Sequence, residues 1–154
     1  MENLIRKIET GNLIMKWLKS TLAIKTRGQG LYDVTDQINS QIHLWEVQEG
    51  MAFLFVRHTS ASLLINENYD PSARQDMESF LDHLVPEGKD WYMHTLEGRD
   101  DSPAHMRTMI TPISISIPID EGRLSLGTWQ GIFLAEHRHR GQQRDVLLRV
   151  LMIV

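Results

Sequence analysis

Cysteine is absent from all 154 residues. Its absence excludes disulfides, zinc fingers and thiol catalysis, and it fits a reducing cytoplasm, the expected location. Any bound metal must then be held by histidine, carboxylate or backbone oxygen. No apolar run approaches the ~18 residues of a membrane span, so no membrane partner is expected. Residues 1–15 make a poor signal peptide, because Glu2 and Glu9 interrupt the basic residues and no long apolar stretch follows. An excess of basic charge is also missing. Sixteen Lys and Arg face twenty Asp and Glu, for a formal charge of -4. A non-specific nucleic-acid binder needs the opposite balance, so no nucleic-acid partner is expected. Internal repeats and low-complexity linkers are lacking. What is present is 42% hydrophobic and 23% charged, the composition of one globular domain with one core.

Apolar spacing gives the elements. Residues 17–26 alternate loosely and read as a strand, followed by a turn at Arg27-Gly28-Gln29-Gly30. Thr35 or Asp36 is placed to cap a short helix carrying Ile38 and Ile42. Residues 51–57 are apolar on both faces, the pattern of a buried central strand. Leu63-Leu64-Ile65 forms another short apolar run. Asp70-Pro71 predicts a helix start, and Met77, Phe80, Leu81 and Leu84 continue it at helical spacing. Ser102-Pro103 repeats that signal for a short helix stopped before Pro112. Ile113, Ile115, Ile117 and Ile119 alternate with Ser and Pro as in a half-buried strand, and Pro118 points to an edge or a bulge. A hairpin turn at Asp120-Glu121-Gly122-Arg123 leads to strands over 129–135 and 146–154. Strands outnumber helices. The expected class is α+β, with a mainly antiparallel sheet and a few helices to one side or end.

Three polar blocks could carry chemistry. In the first, His58 follows the apolar run, with Thr59, Ser60 and Ser62 as hydroxyl donors and Asn66 and Glu67 a little further on. The second runs from His94 to His105 and holds two histidines and Glu97, Asp100 and Asp101. Such a set suits a divalent metal or an acid/base pair. Asp101 stands at a helix N-terminus and His105 in the first turn, where the dipole disfavours a protonated imidazole. The third block sets Thr128, Trp129 and Gln130 between Gly127 and Gly131. There an indole could stack on a heteroaromatic ring and an amide could bond its edge. Each block also has a plain reading: turn-forming hydroxyls, a capped helix, a core tryptophan beside a glycine bulge. Glu136-His137-Arg138-His139-Arg140 reads as a solvated hairpin. Its functional reading makes Arg138 or Arg140 a phosphate ligand and Glu136 a metal ligand or base.

Taken in order, the blocks resemble the YjbQ-type family, also described as secondary thiamine-phosphate synthases. The first signature is His58-Thr-Ser-Ala-Ser-Leu-Leu-Ile-Asn-Glu-Asn with Asp70-Pro71 and Asp76. The second is Glu97-Gly-Arg-Asp-Asp-Ser-Pro-Ala-His105. The third is Gly127-Thr-Trp-Gln-Gly-Ile-Phe-Leu-Ala-Glu136-His-Arg138. The resemblance runs from Trp17 to Val154, so residues 15–154 are expected to form one domain. Residues 1–14 stand outside it, as an N-terminal extension or a misassigned start. The resemblance implies an α+β fold on a mixed, mostly antiparallel, barrel-like sheet, assembled as a homotrimer. It also implies a polar pocket able to hold a metal around His58, His94, Asp101 and His105. The implied activity joins an aminopyrimidine diphosphate to a thiazole phosphate and is thought to be secondary in the family.

That reaction needs a device to neutralise the departing diphosphate. Mg²⁺ on carboxylates is the usual one, with Asp100, Asp101, Glu67 and Glu136 as candidates. Thr59, Ser60 and Arg138 would take phosphate oxygens, with Ser62, Asn66, Thr128, Trp129 and Gln130 completing the substrate contacts. The imidazoles fit this poorly. His58, His94 and His105, with Asp101 and Glu136, suit Zn²⁺ better than Mg²⁺. Three readings follow. The first is a transferase of the thiamine-phosphate-synthase type acting on a small phosphorylated substrate. The second is a metal-dependent hydrolase, and the third is a non-catalytic binding protein for a phosphorylated metabolite.

Overall fold

The structure is a computed structural model that describes residues 14–154. Apart from Ile14, the expected N-terminal extension lies outside the described residues. Eleven elements follow in order: β1 (Met15–Lys25), β2 (Gly30–Asp33), α1 (Thr35–Leu44), β3 (Glu49–Val56), β4 (Ala61–Glu67), α2 (Pro71–Leu84), α3 (Asp101–Ile110), β5 (Ser114–Asp120), β6 (Arg123–Leu124), β7 (Gln130–Glu136) and β8 (Gln143–Ile153). A five-stranded sheet runs β1-β8-β3-β5-β6, and a three-stranded sheet runs β2-β7-β4. Every pairing among the described residues is antiparallel. The class is therefore α+β, three helices on a curled, half-barrel antiparallel scaffold. Among the described residues no helix is long and apolar enough to cross a membrane.

The core lies between the two sheets and α1. Ala52, Leu54 and Val56 of β3 and Val146, Leu148 and Val150 of β8 meet Leu63, Ile132 and Leu134 of the smaller sheet, with Ile38 and Ile42 of α1 closing one side. Alternation along each strand sends these residues to one face. β3 departs from expectation here. Only one of its faces is buried; Phe53 and Phe55 stand 39% and 41% exposed on the other. A continuous apolar run cannot tell a strand covered on both faces from one whose second face is bare. β5 keeps its expected alternation, with Ile117 and Ile119 in the core. Beyond it lies only the two-residue β6, so Pro118 sits at a nearly open edge, where its missing N–H costs little. The hairpin at Glu121 (φ 51) and Gly122 (φ 80) pairs Asp120 with Arg123. Two successive positive φ angles are what a two-residue hairpin turn demands.

The helices differ in detail from their signals. Asp70 caps α2 through Ser72 N–H, with Pro71 as its first residue. Yet its apolar stripe is poorly covered, and Phe80 and Leu84 are exposed. α1 has Val34 at its cap. Thr35 Oγ1 accepts the Ile132 N–H instead, which ties the helix start to β7. α3 begins one residue before the Ser-Pro signal, at Asp101, and the Asp100 side chain makes no capping hydrogen bond.

A layer of buried polar groups joins the sheets where β4 starts and β7 ends. The segment from Glu136 to Arg140 is not the solvated hairpin expected, since Glu136 and His137 are buried. Arg144 of β8 donates from Nε to Glu136 Oε2 at 2.7 Å and from Nη2 to Glu136 Oε1 at 2.5 Å, and it also reaches Ser60 Oγ. Thr26 Oγ1 donates to the same carboxylate. Burial opposes the Glu136 charge, but the Arg144 hydrogen bonds and the Arg138 N–H outweigh it and hold the pKa below the usual range. His137 Nε2 lies 2.8 Å from Ser62 Oγ, which lies 2.7 Å from Thr111 Oγ1. Burial, helped by the Arg107 charge, lowers the His137 pKa to about 4.

Two outcomes follow. Arg144→Met leaves a buried, unpaired carboxylate and should cost about 3–5 kcal/mol in denaturant unfolding, whereas Glu136→Leu with Arg144→Met should recover most of that loss. A double variant as unstable as the single would show that the pair itself, not the orphaned charge, carries the stability. His137 is neutral when folded but takes up a proton near pH 6.5 when unfolded. The stability gained by keeping it neutral is complete above that pH and drains away as pH falls from 6.5 towards 4. The full loss is about 3 kcal/mol. His137→Asn should flatten this part of the stability–pH curve, and an unchanged slope would rule out the assignment.

Candidate metal centre and adjoining groove

α3 places Asp101 and His105 one turn apart on the same face. The segment before the helix brings His94 onto them. His94 Nε2 lies 2.7 Å, and His105 Nε2 3.5 Å, from Asp101 Oδ2. One donor atom from each of the three residues falls within 4.8 Å of the others. The Asp101 side chain is 2% exposed, whereas the His94 and His105 side chains are 54% and 37% exposed. The His94 contact lacks hydrogen-bond alignment, so Asp101 Oδ2 is a buried oxygen with no hydrogen bond. Such an atom is costly unless something positive faces it.

The surrounding residues fix this arrangement. His105 Nδ1 lies 2.8 Å from the Thr59 carbonyl oxygen. That contact puts a proton on Nδ1 and leaves the Nε2 lone pair free. Arg138 donates from Nε to Asp100 Oδ2 at 2.9 Å, from Nη1 to Asp101 Oδ1, and from Nη2 to the Glu97 carbonyl. The Asp100 carboxylate also accepts the His139 N–H. Burial disfavours the Asp100 charge, but the His139 N–H and Arg138 overcome it and lower its pKa. Arg138 therefore clamps one oxygen of Asp101 and leaves the other facing the two imidazoles. All three of its nitrogens have protein partners, which is not the disposition of a phosphate ligand.

His58 and Glu136 do not join the three donors. His58 Nε2 accepts the Asp145 N–H at 3.1 Å, so that nitrogen carries no proton and has no lone pair to spare. Burial, then the Arg144 charge, lowers its pKa. A neutral His58 with its proton on Nδ1 is a hydrogen-bond donor rather than a base. Glu136 is spent on Arg144, Thr26 and the Arg138 N–H. His58, Thr59 and His105 line one wall of an open groove of about 830 Å³. Met109, Pro112 and Ile113 give it an apolar side, and Thr108, Thr111 and Ser114 add hydroxyls. Ser60 and Ser62 lie beneath it, buried and bonded to Arg144 and His137.

Sheet register separates the remaining candidates. β4 and β7 pair with Ala61 opposite Glu136 and Glu67 opposite Gln130. Asn66, Glu67, Thr128, Trp129 and Gln130 therefore gather at the other end of the sheet. Six residue steps along β7 put them roughly 20 Å from Glu136. There Trp129 stands against Tyr69, with ring centroids 4.6 Å apart, and remains half exposed. Gln130 Oε1 accepts the Gly127 N–H. Gly131 is needed by the fold itself, since a Cβ there would lie 2.6 Å from Asn68 Cβ. The first and third signatures thus contribute to both ends, and only the second sits wholly at one. The roles of Asp100 and Thr111 were not legible from sequence, because nothing local marks a side chain that serves a distant segment.

Comparison with known proteins places the chain. The family model described as UPF0047 protein YjbQ-like matches residues 20–152. The UPF0047 protein sll1880 of Synechocystis is 48% identical over 129 residues, covering 84% of this chain and 88% of that protein. The UPF0047 protein YjbQ of Escherichia coli O157:H7 is 41% identical over 132 residues, covering 85% and 95%. Among solved structures, a YbjQ-like protein of unknown function from Sulfolobus solfataricus superposes with a TM-score of 0.82 at 26% identity, covering 90% of this chain and 99% of that one. A conserved hypothetical protein from Thermus thermophilus gives 0.78 at 32% identity, covering 86% and 99%. Family model, relatives and fold agree: the chain is a member of the YjbQ-like UPF0047 family.

Proposed function

We propose that the protein is a metal-dependent hydrolase whose centre is His94, Asp101 and His105. The observation that carries this reading is the buried, unbonded Asp101 Oδ2 facing two imidazole nitrogens. Two nitrogens and one carboxylate oxygen are a borderline-soft donor set, better suited to Zn²⁺ or a similar transition metal than to Mg²⁺. Bound there, the ion supplies Lewis acidity and a nucleophilic water at neutral pH. His105 offers Nε2 because Thr59 holds its Nδ1 proton. Arg138 fixes the rotamer of Asp101. His58 can donate to a substrate oxygen in the groove. The apolar wall from Met109 to Ile113 suits a substrate with an uncharged body and an ester or amide bond.

Transfer between two phosphorylated rings has weaker support. The residues expected to stack a ring stand at the far end of β7, roughly 20 Å from Glu136. Arg138, the expected phosphate ligand, is engaged by Asp100, Asp101 and Glu97. The groove has no free cation among its lining residues.

Chelator-treated protein given one equivalent of Zn²⁺ and dialysed should retain about one ion per chain, and Asp101→Asn should retain almost none. Arg138→Gln should weaken retention about 10- to 100-fold while leaving all three donors in place. Zn²⁺-dependent hydrolysis of p-nitrophenyl acetate, absent from Asp101→Asn, would support the hydrolase. Thiamine phosphate formation with Mg²⁺ alone, unaffected by that substitution, would sink it.

Assembly as a homotrimer fits the outer face of the larger sheet. Trp17, Phe53 and Phe55 are exposed there, and the Trp17 and Phe53 rings stand 6.0 Å apart. The strand from Ile113 to Ile119 has less to offer such an interface, since Ile117 and Ile119 are core residues. Sedimentation velocity should show one species three times the 17.8 kDa chain mass. A monomer at micromolar concentration would refute the assembly.

A further inference from the structure

A second cavity lies between α2, α3, the start of β2 and the end of β7. We propose that it binds a small zwitterion bearing a carboxylate and an ammonium group, of the α-amino acid class. The cavity measures about 180 Å³ and is lined by Gln29, Glu78, Asp82, Arg107 and His137, among others. It adjoins an outer recess of about 470 Å³ that shares Gln29, Asp82 and Arg107 with it. Glu87 and His139 stand at that recess, paired at 2.6 Å. A ligand therefore has a way in.

The walls divide into two kinds. At one end stand the Arg107 guanidinium and the His137 imidazole. Arg107 and His137 are each 2% exposed. Arg107 donates only from Nη2, to the Val85 carbonyl at 2.9 Å and to Asp82 Oδ1 at 3.0 Å. Its Nε is buried with no partner. His137 places Nε2 2.8 Å from Ser62 Oγ. A buried donor left unmade is uncommon, and an acceptor oxygen would satisfy the Arg107 Nε–H. At the other end are acceptors. Glu78 Oε1 accepts the Leu31 N–H, which leaves Oε2 open. Asp82 Oδ1 accepts from Gln29 and Arg107, which leaves Oδ2 open. Glu136 also lines the cavity, but its oxygens are committed to Arg144, Thr26 and the Arg138 N–H.

A simple anion would satisfy the arginine and meet two carboxylates. A simple cation would satisfy the carboxylates and leave the arginine unmade. A molecule with both groups serves both ends. Size agrees: a cavity of 150 Å³ holds benzene, so this one takes roughly six to eight non-hydrogen atoms. Alanine has six. This site is separate from the His94–Asp101–His105 centre and stands or falls independently of it.

The test is a titration of ¹⁵N-labelled protein with L-alanine, following the Arg107 Nε–H resonance assigned through bonds. A saturable shift at millimolar concentration is expected. Acetate and ethylammonium, each carrying one of the two groups, should bind about tenfold more weakly. Glu78→Gln keeps an acceptor oxygen for the Leu31 N–H and removes only the charge, so the variant stays folded. Its L-alanine affinity should fall about tenfold. Two results would overturn the proposal. One is no shift at about 100 mM L-alanine, far above any millimolar affinity, which would mean that the cavity holds water alone. The other is acetate binding as tightly as L-alanine with Glu78→Gln unaffected, which would make it a plain anion site.

Discussion

The ion pair between Glu136 and Arg144 is the constraint on which the rest of the molecule depends. It joins β7 of the smaller sheet to β8 of the larger one, and Thr26 and Ser60 complete it. Taking two charges out of water is expensive, so every remaining lone pair and proton has to be met. Here the carboxylate is met on both oxygens. A pair so fully engaged specifies one arrangement of two sheets whose apolar faces alone would tolerate several. It also fixes the end of β7, and with it the direction in which the chain leaves towards Arg138.

That exit direction builds the candidate centre. Arg138 reaches Asp100, Asp101 and Glu97 from the far side, so the start of α3 is held by a strand distant in sequence. A helix start offers free N–H groups and a favourable dipole to an acidic residue. Asp100 leaves the capping role and serves the guanidinium. The helix then presents Asp101 and His105 together, and His94 arrives from an exposed segment. The most exposed of the three donors is thus the one least held by the fold.

Much of this was readable along the chain. Strict alternation at Ile113–Ile119, the Asp70-Pro71 helix start and the Asp120–Arg123 hairpin are local signals, and local physics settled them. The His-carboxylate block was readable for the same reason, since Asp101 and His105 meet within one helical turn. What was not readable is pairwise and distant. β2 has four residues, too few to show a period. Phe53 and Phe55 are as apolar as their buried neighbours, and nothing in their own segment tells that no layer covers them. The register of β4 against β7 sent Trp129 and Gln130 away from the histidines, although the third signature places them within ten residues of Arg138. Adjacency in a motif is adjacency along a strand, and a strand is long.

One helix carries both pieces of chemistry. His105 lines the first groove from α3, and Arg107, two residues on, lines the second cavity from the same helix. The Arg107 carbonyl also accepts the Thr111 hydroxyl, which lines the groove. A rigid rod with a ligand on each flank cannot shift for one without shifting for the other. Any effect that an occupant of one side had on that helix would be felt at the other, equally in both directions. A linkage of that kind would run through three side chains on ten residues of helix.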